Sequence, residues 1–374
     1  MPQKGELIGG RFRVGLTLGK GAFGIVKSAV DEQEGKPVAL KMLTPAAFAD
    51  PELVARFMRE ARICSVLNHP NTVRLIEFGH IPVEDPDPDV PYMAMELVRG
   101  IPLGGVLKIR EKLSDVETAF VLASVLDSLH DAHMNGVVHR DLKPNNIMIT
   151  APESRWTEPS EGKNLFVRLG IPGSKDSVWQ DISDLDVKVV DFGLGKLLEI
   201  GDRQVKKLTR AGVGAGTAEY MSPEQVRGDQ DVDHRADIYG VAMLIFRLLT
   251  GKPCFEAKSR AEIALKHLTQ QPPPLPAEYR DHPLNAVYLR ASQKDRDNRY
   301  ATVEEMAWEL RGSVDEDYEA IRALMESGMM EKPEFERPPT ARRVPEKTNG
   351  ESQQEHEEAK PQKRSILNRL FGRK

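Results

Sequence analysis

The pattern of hydrophobic and polar positions predicts a small sheet in the first part of the chain. Residues 11–43 alternate between the two classes and are interrupted by glycines, which predicts a strand, a tight loop and two further strands. Two more strand-like runs follow at Thr72–Phe78 and Pro91–Val98. The acidic, proline-rich stretch 83–89 between them has the composition of a solvated surface loop.

Helix signals begin between these strands and dominate the chain after them. Asp50 followed by proline predicts a helix start, because aspartate caps helix N-termini and proline is favoured at the first helical position. Residues 114–117 match a capping box and precede an apolar stripe, which predicts a buried helix. The apolar run Ile238–Leu249 predicts a core helix, since it is too short to span a bilayer and contains Arg247. A helix at Val303–Leu310 closes the domain.

Composition places the chain among ordinary soluble globular proteins. It has 374 residues, of which 29% are charged and 40% hydrophobic. The net charge of −5 gives no support to nucleic-acid binding. The two cysteines, Cys64 and Cys254, fit a reducing compartment, and the N-terminus lacks the apolar core of a signal peptide. We therefore expect a cytoplasmic protein that does not act on nucleic acid.

Two polar clusters follow hydrophobic runs, at points where a buried element leads into a site. The first is the stretch 138–146, Val-His-Arg-Asp-Leu-Lys-Pro-Asn-Asn, in which Asp141 is a candidate base and Lys143 a nearby cation. The second is Asp191, which follows a short apolar strand and precedes Phe-Gly. Asn146 and Asp191 offer an amide oxygen and a carboxylate, which are ligands that suit Mg²⁺.

The glycine-rich stretch 18–26, Leu-Gly-Lys-Gly-Ala-Phe-Gly-Ile-Val, is a candidate phosphate-binding loop. Its three glycines let the backbone approach phosphate oxygens without a Cβ in the way, although an ordinary hairpin turn has a similar composition. Two features separate it from the dinucleotide-binding fingerprint: a strand follows it, and then the run Val-Ala-Leu-Lys that ends at Lys41.

The order of these motifs identifies a family. The pattern H-R-D-x-x-x-x-N followed by D-F-G is the catalytic signature of protein kinases, and the chain resembles that family over roughly residues 11–312. Within it, the chain resembles the eukaryotic-like (bacterial-type) serine/threonine kinases. The resemblance implies an α+β, two-lobed protein-kinase fold, with a small antiparallel-sheet lobe and a larger, mainly helical lobe. It also implies ATP and Mg²⁺ as cofactors, and protein substrates that include the chain itself through autophosphorylation.

The resemblance assigns catalytic roles residue by residue. Asp141 would accept the proton of the substrate hydroxyl, and Lys143 would contact the γ-phosphate. Lys41 would bind phosphate oxygens and be held by an ion pair with Glu60. Because tyrosine-specific relatives usually lack a lysine at the position of Lys143, we expect a serine/threonine kinase. Two oxygen ligands would hold Mg²⁺, namely Asn146 and Asp191.

The resemblance also places a nucleotide between the glycine loop and the strand after the catalytic loop. Met95 would be the gatekeeper beside the adenine, the Glu96 carbonyl and the Val98 backbone would bind its edge, and Met148 would pack beneath it. Pro102 stands where many kinases have a polar residue that reaches the ribose. The full set of predicted nucleotide-binding residues is Leu18, Gly19, Lys20, Gly21, Ala22, Phe23, Gly24, Val26, Ala39, Lys41, Met95, Glu96, Val98 and Met148.

Further roles around the site follow from the same resemblance. Thr209 is the candidate phosphosite of the activation loop, and Arg140 would pair with its phosphate. The structural roles are Asp237 fixing the catalytic loop, Arg299 pairing with Glu224, and Thr217 bridging Asp141 and Lys143.

A pseudokinase scaffold and a small-molecule kinase are the two alternatives to a protein kinase. A pseudokinase scaffold usually lacks the phosphate-binding lysine, the base or the metal aspartate, and here Lys41, Asp141 and Asp191 are all present. A small-molecule kinase is disfavoured by the intact segment 216–224, which protein kinases use to seat a peptide.

The resemblance, together with the composition of the C-terminal part, divides the chain into five parts. They are an N-terminal lead at 1–10, the kinase domain at 11–312 with an insert at about 151–186, a helical extension at 313–331, a disordered linker at 332–362 and a basic amphipathic segment at 363–374. The insert separates two strands that kinases join in a tight hairpin. It is either an excursion packed on the large lobe or a docking or regulatory surface.

The segment 363–374 combines four apolar residues with five basic ones. This pattern is typical of an interfacial helix on anionic lipid or of a helix in a partner's groove. Because two turns are too short to be helical alone in water, a solubilising basic tail is the alternative. Attachment through this segment to the inner face of the membrane would be weak and reversible.

Overall fold

Six antiparallel strands form the sheet of the small lobe. The computed structural model describes residues 2–21, 23–81, 89–150, 185–192, 215–314 and 334–339. The strands are β1 (Leu7–Ile8), β2 (Phe12–Lys20), β3 (Gly24–Asp31), β4 (Lys36–Leu43), β5 (Leu75–Ile81) and β6 (Val90–Glu96). Their order across the sheet is β1-β2-β3-β4-β6-β5. The strand, loop and two strands predicted for residues 11–43 are confirmed as β2, β3 and β4.

A second sheet of three strands lies at the junction with the large lobe. It consists of β7 (Gly100–Pro102), β8 (Ile147–Thr150) and β9 (Asp186–Val189), with β8 in the centre. The β8–β9 pairing is antiparallel, so the two strands meet as predicted although the insert separates them in sequence.

The predicted strand Thr72–Phe78 is wrong at its start, since β5 begins at Leu75. Thr72 instead forms a parallel bridge with Val189 of β9. The Val73 amide donates to the Val189 carbonyl at 3.0 Å, and the Val189 amide donates to the Asn71 carbonyl at 2.7 Å. The extended residues before β5 therefore pair with the second sheet rather than with the first.

The structure has nine α-helices among the described residues. They are α1 (Pro45–Phe48), α2 (Pro51–Cys64), α3 (Leu103–Arg110), α4 (Asp115–Met134), α5 (Pro223–Arg227), α6 (Arg235–Thr250), α7 (Arg260–Thr269), α8 (Pro283–Ala291) and α9 (Val303–Gly312). The two whose starts were predicted from capping signals, α2 and α4, begin where predicted. Asp50 caps α2 by accepting from the Glu52 amide at 2.9 Å. Ser114 and Glu117 form both bonds of the capping box at the start of α4.

Buried apolar residues pack one helix against the sheet of the small lobe and another into the core of the large lobe. Phe57 and Ala61 of α2 are buried against Leu43 of β4 and Met93 of β6. In the large lobe, α6 is buried almost along its whole length, and its apolar residues pack with those of α4 and of β8 and β9. The run that predicted a core helix is therefore confirmed, and its burial anchors the neighbouring catalytic loop.

Several predictions fall outside the described residues. They concern Ala22, Gly193, the insert at 151–184, Thr209, most of the helical extension, most of the linker and the segment 363–374. The backbone of Thr217 lies in a 3₁₀ turn at Ala215–Tyr220, but its side chain is outside the described set. Within the described ranges, no helix is long and apolar enough to cross a membrane.

Candidate active site

The catalytic loop between α4 and β8 is held by a carboxylate from the core helix. Asp237 of α6 is buried, and its two oxygens accept from the backbone amides of His139 and Arg140, each at 2.8 Å. Arg140 has a φ of +60°, a left-handed conformation that costs energy for a residue with a side chain. Burial by itself would raise the pKa of Asp237, but the hydrogen bond from His133, the two nearby histidines and the bond from the Arg140 amide together outweigh burial and lower that pKa.

His139 connects this loop to the segment that carries Asp191. Its ring is buried and packs against Phe192 with 4.8 Å between the ring centroids. Burial lowers the pKa of His139, so the imidazole is neutral at neutral pH. The Asp141 amide donates to Nδ1 at 3.3 Å, which leaves Nε2–H to donate to the Val190 carbonyl at 3.3 Å.

Asp141 and Lys143 form a partly exposed pair at the centre of the cleft. Lys143 Nζ lies 2.6 Å from Asp141 Oδ2. The Asn146 side-chain amide donates to the Asp141 backbone carbonyl at 2.9 Å. Since its nitrogen is used in this way, the side-chain oxygen of Asn146 is the atom that remains for a cation.

Lys41, Glu60 and Asp191 converge from three separate elements. Lys41 of β4 forms an ion pair with Glu60 of α2, and its Nζ lies 2.8 Å from Asp191 Oδ1. Burial alone would lower the pKa of Lys41, but the charges of Asp191 and Glu60 outweigh it and raise the pKa. The charge of Lys41 in turn lowers the pKa of Asp191, which therefore stays ionised.

The side chains of Asn146 and Asp191 are suited to bind a magnesium ion. Asp191 has a φ of +53°, and its side chain is 56% exposed, so its carboxylate opens to the cleft. The Val190 amide donates to the Asn146 backbone carbonyl at 2.9 Å, which ties the two predicted ligands together along the chain. A carboxylate and an amide oxygen are hard donors of the kind that Mg²⁺ takes, with phosphate and water completing its shell.

The inner face of the small-lobe sheet carries the predicted nucleotide residues. Val26 pairs with Lys41, and Ala39 pairs with Met95, so their side chains share one face of the sheet. The glycine loop closes on itself through a bond from the Gly21 amide to the Gly24 carbonyl at 2.8 Å. Met148 lies on β8 of the second sheet, opposite Pro102.

Comparisons with known proteins agree with this geometry. Residues 12–283 match the protein kinase domain family. The chain is 37% identical over 317 residues to the serine/threonine-protein kinase pkn3 of Myxococcus xanthus, which covers 84% of this chain and 51% of that protein. It is 32% identical over 302 residues to the serine/threonine-protein kinase PknB of Mycobacterium tuberculosis (strain H37Rv), which covers 80% of this chain and 42% of that protein.

The chain belongs to the protein kinase family. It spans about half or less of the length of these curated relatives. The kinase domain of Mycobacterium tuberculosis PknI has the same fold, with a TM-score of 0.56 at 23% identity; the match covers 84% of this chain and 100% of that one. The two-lobed fold predicted from the motifs is therefore confirmed.

The kinase domain brings together the predicted catalytic and metal-binding side chains that the structure describes. Lys41 meets Glu60 as predicted, and Asp191 joins them. The Arg299–Glu224 pair is also present, with bonds of 2.7 and 2.8 Å between two fully buried side chains. The roles of these residues in binding and catalysis stay predictions.

Sequence reasoning missed three polar residues that support the kinase site. His133 of α4 donates to Asp237. The Asn71 side chain donates to the Val187 carbonyl at 2.8 Å, and Lys188 forms an ion pair with Glu96 at 2.7 Å. Their partners lie far away in sequence, so no local pattern marks these contacts.

Proposed function

We propose that this chain is a serine/threonine protein kinase, which transfers the γ-phosphate of Mg·ATP to protein hydroxyl groups and to its own activation loop. The observation that carries the proposal is the position of Lys41 between Glu60 and Asp191, in the cleft that holds Asp141 and Lys143. The family membership and the names of its bacterial relatives support the same reaction.

In the proposed reaction, the serine or threonine oxygen forms a bond to the γ-phosphorus as the bond to the β-phosphate oxygen breaks. Asp141 takes the proton of the attacking hydroxyl, and ADP leaves. Lys143, which lies beside Asp141, would place its positive charge at the transferring phosphoryl group. Mg²⁺, when bound, neutralises charge on the phosphates, and Asn146 and Asp191 would hold it.

Arg140 supports control by phosphorylation of the activation loop. One of its guanidinium nitrogens donates to the Val232 carbonyl at 2.8 Å. Its Nε is buried and has no hydrogen-bond partner among the residues that the structure describes. A phosphate on Thr209 would provide a partner of opposite charge.

The test is intact mass measurement, followed by site mapping, of wild type, Asp141→Asn and the control Asp281→Asn after incubation with Mg·ATP. Asp281 is an exposed carboxylate in the large lobe. We expect added phosphates, with Thr209 among the mapped sites, in wild type and the control only. We also expect Asp141→Asn to keep its affinity for Mg·ATP. Transfer near the wild-type rate by Asp141→Asn would refute the assignment of the base.

A further inference from the structure

An ion pair joins the two sheets at the edge of the nucleotide cleft. Lys188 Nζ of β9 lies 2.7 Å from Glu96 Oε1 at the end of β6, and the side chains are 18% and 29% exposed. The lysine belongs to the three-stranded sheet and the glutamate to the six-stranded sheet. A partly buried pair of this kind is screened less by solvent than an ordinary surface ion pair.

Backbone contacts hold both partners in place. Glu96 Oε2 accepts from the Arg74 amide at 3.3 Å, and the Glu96 amide donates to the Arg74 carbonyl at 2.9 Å. On β9, the Val187 carbonyl accepts from the side chain of Asn71. Residues 71–74 are thus hydrogen-bonded to β9 at one end and to Glu96 at the other. They therefore hold the two partners of the ion pair close to each other.

The register of the second sheet places Lys188 beside the floor of the cleft. Met148 pairs with Pro102 on one side and with Lys188 on the other, so the three side chains share one face. The flanking residues Val187 and Val189 point to the opposite face and are buried in the large-lobe core. Because β9 is held there, Lys188 is directed toward Glu96.

We propose that Lys188 and Glu96 are positioning residues for the kinase reaction. They hold residues 95–98, which would bind adenine, in register with the segment that carries Asp191. The inference rests on the proposed function. Glu96 is the residue whose backbone would bind adenine, and Asp191 follows Lys188 on the same short segment. The ion pair coexists with the Lys41 contacts to Glu60 and Asp191, so it belongs to the state in which the charged groups are assembled.

The test compares Lys188→Met, which keeps the aliphatic stem, with the charge-exchanged double variant Lys188→Glu/Glu96→Lys. The control is Arg311→Met, because Arg311 of α9 forms an ion pair of similar exposure with Asp127 of α4, which joins two helices of the large lobe rather than the two sheets. Initial rates are measured against ATP concentration at saturating peptide, and the melting temperature of each variant is measured without nucleotide.

We expect Lys188→Met to lower kcat/KM for ATP by about fivefold, mainly through KM, as fits the loss of one partly buried ion pair. The double variant should recover most of that loss, and Arg311→Met should change only the melting temperature. Three results would overturn the inference: an unchanged or increased kcat/KM in Lys188→Met, an equal loss in Arg311→Met, or no recovery in the double variant.

Calorimetric titration with Mg·ADP separates this inference from the proposed function. If wild type binds Mg·ADP but transfers no phosphate, the kinase proposal fails. The positioning role is then judged by affinity alone, and Lys188→Met should bind about fivefold more weakly. If wild type transfers phosphate and Lys188→Met binds Mg·ADP with wild-type affinity, the positioning role fails and the kinase proposal stands.

Discussion

His267 of α7 is an imidazole that the fold holds in its neutral form. Its side chain is fully buried, and Nδ1 lies 2.9 Å from the hydroxyl of Tyr239. The ammonium of Lys294 donates to the His267 backbone carbonyl at 2.8 Å, so a positive charge already lies close to the ring. Burial, with a smaller effect of this charge, lowers the pKa of His267 to about 3.

This low pKa predicts that His267 weakens the fold in acid. In the unfolded chain His267 takes up a proton at a pKa of about 6.5, but in the folded chain only at a pKa near 3. Neutral His267 therefore makes its full contribution to the free energy of unfolding above pH 6.5, and this contribution is lost as the pH falls. At pH 5 the loss is about 2 kcal/mol. Urea unfolding of wild type and His267→Asn at pH 7 and pH 5 measures it.

In His267→Asn the free energy of unfolding should be lower at pH 7, but it should fall by about 2 kcal/mol less between the two pH values. Other acidic and histidine side chains titrate in both proteins, so the comparison of the two falls isolates His267. Equal falls in wild type and variant would contradict the prediction.

At the scale of elements, the close approach of β7 and β8 depends on Gly100. A Cβ at this position would lie 2.4 Å from the carbonyl oxygen of Ile149, which is part of the β8 backbone. The Thr150 hydroxyl donates to the Arg99 carbonyl at 2.7 Å and holds the two strands together at the same point. A side chain at residue 100 would therefore push apart two strands that border the cleft proposed to bind the nucleotide.

We expect Gly100→Ala to lower the free energy of unfolding by about 1–3 kcal/mol, the usual cost of overpacking, and to raise KM for ATP. Gly105→Ala is the matched control, because a Cβ on this residue of α3 would meet no atom within 4 Å. Since alanine is a better helix former than glycine, the free energy of unfolding of the control should rise by about 0.5–1 kcal/mol. Thermal unfolding measures the stability of both variants, and initial rates against ATP concentration measure their KM. Equal stability of the two variants would contradict the prediction.

At the scale of the whole molecule, the segment 363–374 carries a proposal of its own, although it lies outside the described residues. Its four apolar and five basic residues suit an anionic membrane surface. Deleting it should leave phosphorylation of a peptide unchanged and abolish sedimentation of the protein with vesicles that contain phosphatidylserine.

The control for this deletion is Leu370→Gln/Phe371→Gln, which removes half of the apolar residues and leaves the charge of the segment unchanged. Reduced sedimentation of this variant would support insertion of an amphipathic helix, and unchanged sedimentation would point to charge attraction alone. If the intact protein never sediments with the vesicles, the membrane proposal is wrong.

The sequence by itself determined the elements and their chemistry, because those signals are local. Alternation predicted β2 to β4, side-chain caps predicted the starts of α2 and α4, and the order of motifs predicted the two-lobed fold. Alternation and caps depend on residues a few positions apart, whose spacing fixes a period or a hydrogen bond, whereas the order of motifs predicted the fold through resemblance to a known family. The polar clusters around Asp141 and Asp191 were picked out because they follow apolar runs, and the catalytic roles assigned to them by resemblance stay predictions.

Only the tertiary structure decided which distant groups meet. The contact between Lys41 and Asp191, the pairing of residues 71–73 with β9, and the ion pair between Lys188 and Glu96 each join elements that are far apart in sequence. Which distant residues meet depends on how the sheets and helices pack. The sequence also does not show whether a charged side chain is exposed or half-buried in the fold. For that reason the start of the strand Thr72–Phe78 was placed wrongly, and the support that β9 receives from residues 71–73 was not foreseen.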